Sequence, residues 1–238
     1  MASATLRPFM AVMPGSERIS QMGLQQQLDA FKAEFARTAP VGRPALYEAK
    51  IEELRAGFAA ERAILTGDLV PDFTLPDQRG RDVSLGTLLE AGPAVVTFYR
   101  GGWCPYCNIQ LRAYQAVLPE MNALGARLVA ISPQLPDGSI STAEANKLTF
   151  SVLSDVGNSV ARNFGLVWSL PEELRAALRS SNKALPGING DDSWELPVPA
   201  TYVIARNGRV ALAAIDVDYR NRLEPDAILT TLRSLRSA

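Results

Sequence analysis

Cys104-Pro105-Tyr106-Cys107 holds the only two cysteines of the chain, and the residues ahead of it, Ala94-Val95-Val96-Thr97-Phe98-Tyr99-Arg100, read as a strand running into a helix. Two thiols three residues apart at the first turn of a helix can close a small disulfide. They can also hold a thiolate against the partial positive charge of the helix end. Small buried hydrophobes, the ordinary fate of free cysteine, have no reason to choose this spacing beside a strand-to-helix turn. A structural zinc site fails on donor count, because zinc takes four N or S ligands and the chain has two cysteines and no histidine. The lack of histidine also removes Ser/His/Asp and Cys/His triads, so an activated nucleophile must rely on backbone dipoles and arginine. A redox dithiol that needs no metal and no cofactor is the expected chemistry.

The neighbours of the pair supply further candidates. Arg100 is the nearest cation in sequence. Gly101 and Gly102 would let the backbone approach a substrate closely, or would serve simply as turn glycines. Trp103 and Tyr106 fit either an apolar platform beside the thiols or ordinary core packing.

These residues need a scaffold, and 238 residues at 47% apolar content suffice for one generous domain with extensions. The 24 basic and 25 acidic side chains nearly cancel and form no long run of one sign, so nothing points to nucleic acid. No stretch approaches the roughly 20 apolar residues of a membrane span. Pro8 and Pro14 interrupt the amino terminus, Met1 to Ser20, which therefore lacks the apolar core of a secretory leader. A cytoplasmic protein is expected, and in a reducing compartment a cysteine pair suits catalysis better than a structural staple.

Leu24, Leu28, Phe31 and Phe35 fall at helical spacing, as do Tyr47, Ile51, Leu54 and Phe58, with Pro40 and Pro44 between. Two amphipathic helices are thus expected in an extension over residues 1–66. Their stripes would pack into the core or, outside it, form a homodimer surface. From Gly67 the texture changes to short alternating segments, Pro71 to Asp77 and Arg79 to Leu85, around a glycine turn. A helix from about Cys104 to Met121 follows the strand at 94–100. Strands at 127–131 and 150–153 and helices near 143–148, 159–164 and 171–181 come next, with Pro171 at the first helical position. The segment from Ala184 to Pro199 reads as a loop. Asn207-Gly208 then joins two β-rich runs as a hairpin, and a last helix covers about Glu224 to Leu235. Strand and helix alternating in this order give an α/β fold with a parallel core, to which the hairpin adds antiparallel strands.

Over roughly Gly67 to Leu235 this pattern resembles the thioredoxin fold and, within it, the peroxiredoxins. Four stretches carry the resemblance: Pro71-Asp72-Phe73-Thr74-Leu75 with Val83-Ser84-Leu85; Phe98-Tyr99 leading into the active-site turn; Ile131-Ser132 with Val152-Leu153-Ser154-Asp155; and Ala200-Thr201-Tyr202-Val203-Ile204. The resemblance implies a thioredoxin-like domain over 67–238, with a central mixed sheet flanked by helices. It also implies two registers for the dithiol. In the thioredoxin and glutaredoxin register Cys104 attacks and Cys107 resolves. In the peroxiredoxin register Cys107 falls on the peroxidatic cysteine, Gln110 on the polar residue three positions later, and Cys104 replaces a peroxide-orienting threonine. The family's arginine ahead of the Ala-Thr pair is replaced by Pro199, beside Thr201, which leaves Arg100 as the nearest substitute in sequence. Pro199 is also one residue away from the place of the fold's cis-proline.

Three functions follow from these residues. The first is a thiol-dependent peroxidase that reduces hydrogen peroxide or organic hydroperoxides and is reset by thioredoxin or glutathione. The second is a glutaredoxin- or thioredoxin-like disulfide reductase. The third, outside enzymology, is a redox-sensing interaction protein that uses the amino-terminal helices as its contact.

Overall fold

The structure is a computed structural model and describes residues 22–237. The Met1 to Ser20 stretch, expected to lack a leader, lies outside these residues. Two amphipathic helices, α1 (Leu24–Thr38) and α2 (Arg43–Gly57), come first. A hairpin of β1 (Thr74–Pro76) and β2 (Asp82–Ser84) follows, then α3 (Leu85–Ala91), β3 (Ala94–Phe98) and α4 (Pro105–Ala123). The chain continues through β4 (Arg127–Ser132), α5 (Pro136–Ala145), β5 (Ser151–Ser154), α6 (Ser159–Asn163) and β6 (Val167–Ser169). It ends with α7 (Glu172–Arg179), α8 (Leu185–Asn189), β7 (Glu195–Pro197), β8 (Ala200–Ile204), β9 (Val210–Ile215) and α9 (Pro225–Ser237).

The central sheet has the order β5-β4-β3-β8-β9. The first three strands are parallel, while β8 and β9 run antiparallel, joined by the Asn207-Gly208 turn with Gly208 at φ +79°. Successive side chains of β3 point to opposite faces, as a strand requires. Val95 joins the core under α4, α9 and α1, whereas Val96 and Phe98 join the other core with Phe73, Leu153 and Phe164. A third apolar cluster, built around Leu170, Leu174, Leu178 and Trp194, sits beneath α2.

Several sequence expectations need correction. The strand into the site ends at Phe98, leaving Tyr99 and Arg100 in the turn. The helix placed near 143–148 runs instead from Pro136 to Ala145, because Pro136 fits its first turn and Lys147, at φ +52°, breaks the helical path. Pro171 occupies the N-cap of α7 rather than its first helical position. Leu85 begins α3, which Ser84 caps by accepting a hydrogen bond from the Thr87 amide at 3.1 Å. The supposed loop from 184 to 199 contains α8 and β7, and β7 pairs with β6 through Val167↔Pro197 and Ser169↔Glu195.

The amino-terminal helices pack onto the domain. Leu24 and Leu28 are buried in the core over α4, and Phe31 meets Tyr106 edge-on at 5.0 Å. Glu224 caps α1, accepting from the Leu24 and Gln25 amides at 3.0 and 2.8 Å, so a carboxylate lies where the helix end is positive. Helix α2 is tied down at two places. Arg220 donates to Glu48 at 2.6 and 2.8 Å and also to Asp218, while Lys50 pairs with Glu173 of α7 at 2.7 Å. Among the described residues no helix is long and apolar enough to cross a membrane.

Candidate active site

The turn from Arg100 to Cys104 carries the chain from the end of β3 to the start of α4. Gly101 takes φ +135°, a backbone region that side chains rarely enter. A Cβ on Gly102 would overlap the Thr142 hydroxyl. Both glycines therefore serve close packing inside the protein. The turn is pinned by the Gly102 amide donating to Gln134 Oε1 at 2.6 Å and by Asn108 Nδ2 donating to the Gly102 carbonyl at 2.7 Å. Cys104 is the N-cap of α4, Pro105 fills the first turn where no amide is needed, and Cys107 falls in that same turn.

Both sulfurs are reduced and buried. Their environments push them apart. The Cys104 thiol is held down to about 5 by the hydrogen bond from Cys107 and by the charges of Arg100 and Arg222, against the opposing effect of burial. Burial pushes the Cys107 thiol well above the usual range, and its role as donor to Cys104 adds to that. Cys104, the more readily ionised of the two, stands at the positive end of a 19-residue helix.

Two arginines face this charge. Arg100 is 7% exposed; its guanidinium lies 4.0 Å from the Tyr219 ring centroid and 4.9 Å from that of Trp103. Arg222, in the segment between β9 and α9, donates through Nη2 to Cys107 Sγ at 3.7 Å. Sequence reasoning missed Arg222. It lies 115 residues from Cys107 and belongs to none of the motifs that point to the dithiol, so only the tertiary structure reveals its place.

Gln110, one turn beyond Cys107, is buried. Its Nε2 lies 3.1 Å from the Tyr114 hydroxyl, 3.3 Å from Thr201 Oγ1 and 3.4 Å from Thr97 Oγ1, and its Oε1 has no partner. Thr201 faces Thr97 across the β3–β8 pair with their hydroxyls 3.0 Å apart. Pro199 borders a cleft of about 260 Å³ together with Gln110, Thr201 and Arg222. No peptide bond among the described residues is cis, so Pro199 does not reproduce that feature of the fold.

A second cavity, of about 250 Å³, opens on the other side of the dithiol and reaches Cys104. Its walls come from α1, α2, α7, Trp168 and the Val217 to Tyr219 segment, with Trp103 and Tyr106 at the thiol end. Trp103 and Tyr106 stand at the Cys104 end of this cavity. Cys107 lines neither cavity.

Residues 66–213 match the AhpC/TSA family. The chain is 30% identical over 215 residues to the chloroplastic peroxiredoxin Q of Gentiana triflora, covering 90% of this chain and 83% of that one. It is 32% identical over 175 residues to the chloroplastic peroxiredoxin Q of Sedum lineare, covering 73% and 79%. Among solved structures, the peroxidoxin BcpB of Mycobacterium tuberculosis superimposes with a TM-score of 0.57 at 27% identity, covering 72% of this chain and 97% of that one. With a mixed sheet, a dithiol at the start of α4 and relatives of this kind, the chain belongs to the AhpC/TSA family of thioredoxin-fold peroxiredoxins.

Proposed function

We propose that the protein is a thiol-dependent peroxidase in which Cys104 attacks and Cys107 resolves. What carries this assignment of roles is the contrast between the two sulfurs: Cys104 bears the thiolate and lines a cavity, whereas Cys107 is protonated and enclosed. The Cys104 thiolate attacks the distal oxygen of a hydroperoxide, giving Cys104 sulfenic acid and an alkoxide that takes up a proton and leaves as the alcohol. The Cys107 thiol then condenses with the sulfenic acid, forming the Cys104–Cys107 disulfide and releasing water. An external dithiol such as thioredoxin, or two equivalents of glutathione, returns both thiols and leaves oxidised. A thiol-reducing compartment such as the cytoplasm suits that last step.

In this reading Arg100 and Arg222 stabilise the thiolate, and Trp103 shields it from water. Gly101 and Gly102 shape the turn. Gln110 and Thr201 fix the wall behind Cys107, while Pro199 borders the smaller cleft. Leu24 and Leu28 of the α1 stripe are buried within the chain, and Phe31 of the same stripe lines the cavity at Cys104. A protein disulfide reductase would use the same thiolate, but the α1–α2 cover leaves a small chamber at Cys104 instead of an open docking face, and this favours a small peroxide.

The test is steady-state peroxide consumption by the reduced protein with thioredoxin, thioredoxin reductase and NADPH. Repeated turnover, much faster than with free thiol, is expected. A rate no higher than that of free thiol overturns the peroxidase reading, and a single stoichiometric oxidation without turnover would identify a redox sensor instead.

A further inference from the structure

Breaking a peroxide O–O bond leaves an oxygen anion that needs a proton, and only groups facing the chamber over Cys104 can supply it there. Among the described residues no carboxylate lines this chamber, and the chain has no histidine. Cys107 lines neither cavity, and its own proton is needed later, when it condenses with the sulfenic acid. Arginine does not give up its proton, and Ser181 is an exposed alcohol no more acidic than the group it would protonate. Three phenols and two lysines remain: Tyr47, Tyr106, Tyr219, Lys50 and Lys183. Lys50 is held by Glu53 and Glu173 at 2.9 and 2.7 Å, and Tyr47 stacks on Phe35 within the cover at 5.7 Å. Lys183 is half-buried, 6.0 Å from the centroid of the Trp103 ring.

Tyr219 is placed differently. Its ring meets Tyr106, in the first turn of α4, edge-on at 5.5 Å, and the Arg100 guanidinium lies 4.0 Å from its centroid. Arg100 also holds down the Cys104 thiol. One buried cation therefore faces both the sulfur that gives up negative charge and the phenol that would take it on. Among the described residues no cation lies over the Tyr106 ring. Burial pushes the Tyr219 hydroxyl up to about 12, with Arg100 acting against it, so it is protonated at neutral pH. Hydroxide, which leaves from hydrogen peroxide, is the base of an acid of pKa about 15.7, and proton transfer from Tyr219 to it runs downhill.

We propose that Tyr219 is the general acid of the peroxide step. The Cys104 thiolate forms an S–O bond to the distal oxygen and the O–O bond breaks, with its electron pair passing to the proximal oxygen. That oxygen takes the Tyr219 proton and leaves as water or an alcohol. The sulfur is oxidised by two electrons and the peroxide reduced by two. The Tyr219 phenolate, beside Arg100, then regains a proton from bulk water. Tyr219 lies beyond residues 66–213, which match the family, so the donor comes from the carboxy-terminal part of this chain. The proposal rests on the peroxidase reading and adds a catalytic residue to it.

Tyr219→Phe keeps the ring against Arg100 and Tyr106 and removes the proton. Stopped-flow oxidation by hydrogen peroxide should slow about a hundredfold, the usual size of a general-acid contribution. Peracetic acid is the control, because acetate is a weak base and leaves without a proton. Its rate should stay within about twofold, and the Cys104 titration should stay at about 5. In the unaltered protein at pH 7, deuterated water should slow the hydrogen peroxide step and leave the peracetic acid step nearly unchanged. An unchanged hydrogen peroxide rate in Tyr219→Phe, an equal loss with both oxidants, or the loss appearing in Lys183→Gln instead overturns the proposal and leaves the peroxidase reading standing. A wild-type protein that hydrogen peroxide oxidises no faster than free thiol sinks both.

Discussion

Arg222 donates a hydrogen bond to the Cys107 sulfur at 3.7 Å, and its charge also lowers the neighbouring Cys104. The family's arginine ahead of the Ala-Thr pair is missing here, where Pro199 stands, and a positive charge reaches the dithiol from the segment beyond β9. Arg222→Met should move the Cys104 titration upward from about 5 by about one pH unit or more, since an opposite charge at this range favours the ionised form. Thiolate absorbance measured against pH reads this directly.

The same thiolate sets the pH profile of the first chemical step. A thiol held down to about 5 is ionised above that value and loses its charge as pH falls through it. The rate of peroxide oxidation should therefore climb through pH 5 and level off by about pH 7. Cys107→Ala removes the hydrogen bond that contributes most to the lowering, so its profile should move toward the ordinary thiol value of about 8.5. Cys107→Ser keeps a donor and should move less.

Gly102→Ala tests the close packing of the turn. Its Cβ would overlap the Thr142 hydroxyl, and the expected cost is about 1–3 kcal/mol of stability, the usual range for overpacking. Thr142→Ala clears that space. Urea midpoints for the two single variants and the double variant should reveal a coupling of about 1 kcal/mol or more in the direction of rescue.

The cover over Cys104 depends on a few polar contacts. Glu224→Gln weakens the charge at the start of α1 and should cost about 1 kcal/mol. Arg220→Met removes the cation that hydrogen-bonds the buried Asp218, and about 3 kcal/mol is expected from the loss of a buried partner. Hydrogen exchange should then speed up in residues 24–57 before it does in the central sheet, because the cover opens first.

Much of the fold was legible in local pattern. The apolar run at 94–98, the proline-capped helix after Cys104 and the Asn207-Gly208 turn each agree with their tertiary setting, so each could be read alone. Segments that depend on a distant partner could not. Trp168 and Leu196 pair across two strands of three residues each, too short for a visible alternation, and α5 was placed too late because its apolar content is low. At the site, Cys104, Cys107, Gln110 and Thr201 are nominated by spacing and resemblance. Arg222 and the roof over Cys104 are not, because they arise from packing between residues far apart in the chain, for which a single sequence carries no signal.

The division of labour between the sulfurs is the central claim, and trapping sulfenic acid after single-turnover oxidation tests it most directly. Cys104→Ser and Cys107→Ser proteins would be reduced, treated with one equivalent of hydrogen peroxide and dimedone, and mapped by mass spectrometry. Labelling of Cys104 in Cys107→Ser at close to the wild-type oxidation rate, with little labelling in Cys104→Ser, is the predicted result. Rapid labelling of Cys107 in Cys104→Ser, with Cys104 unreactive in the other variant, would contradict it.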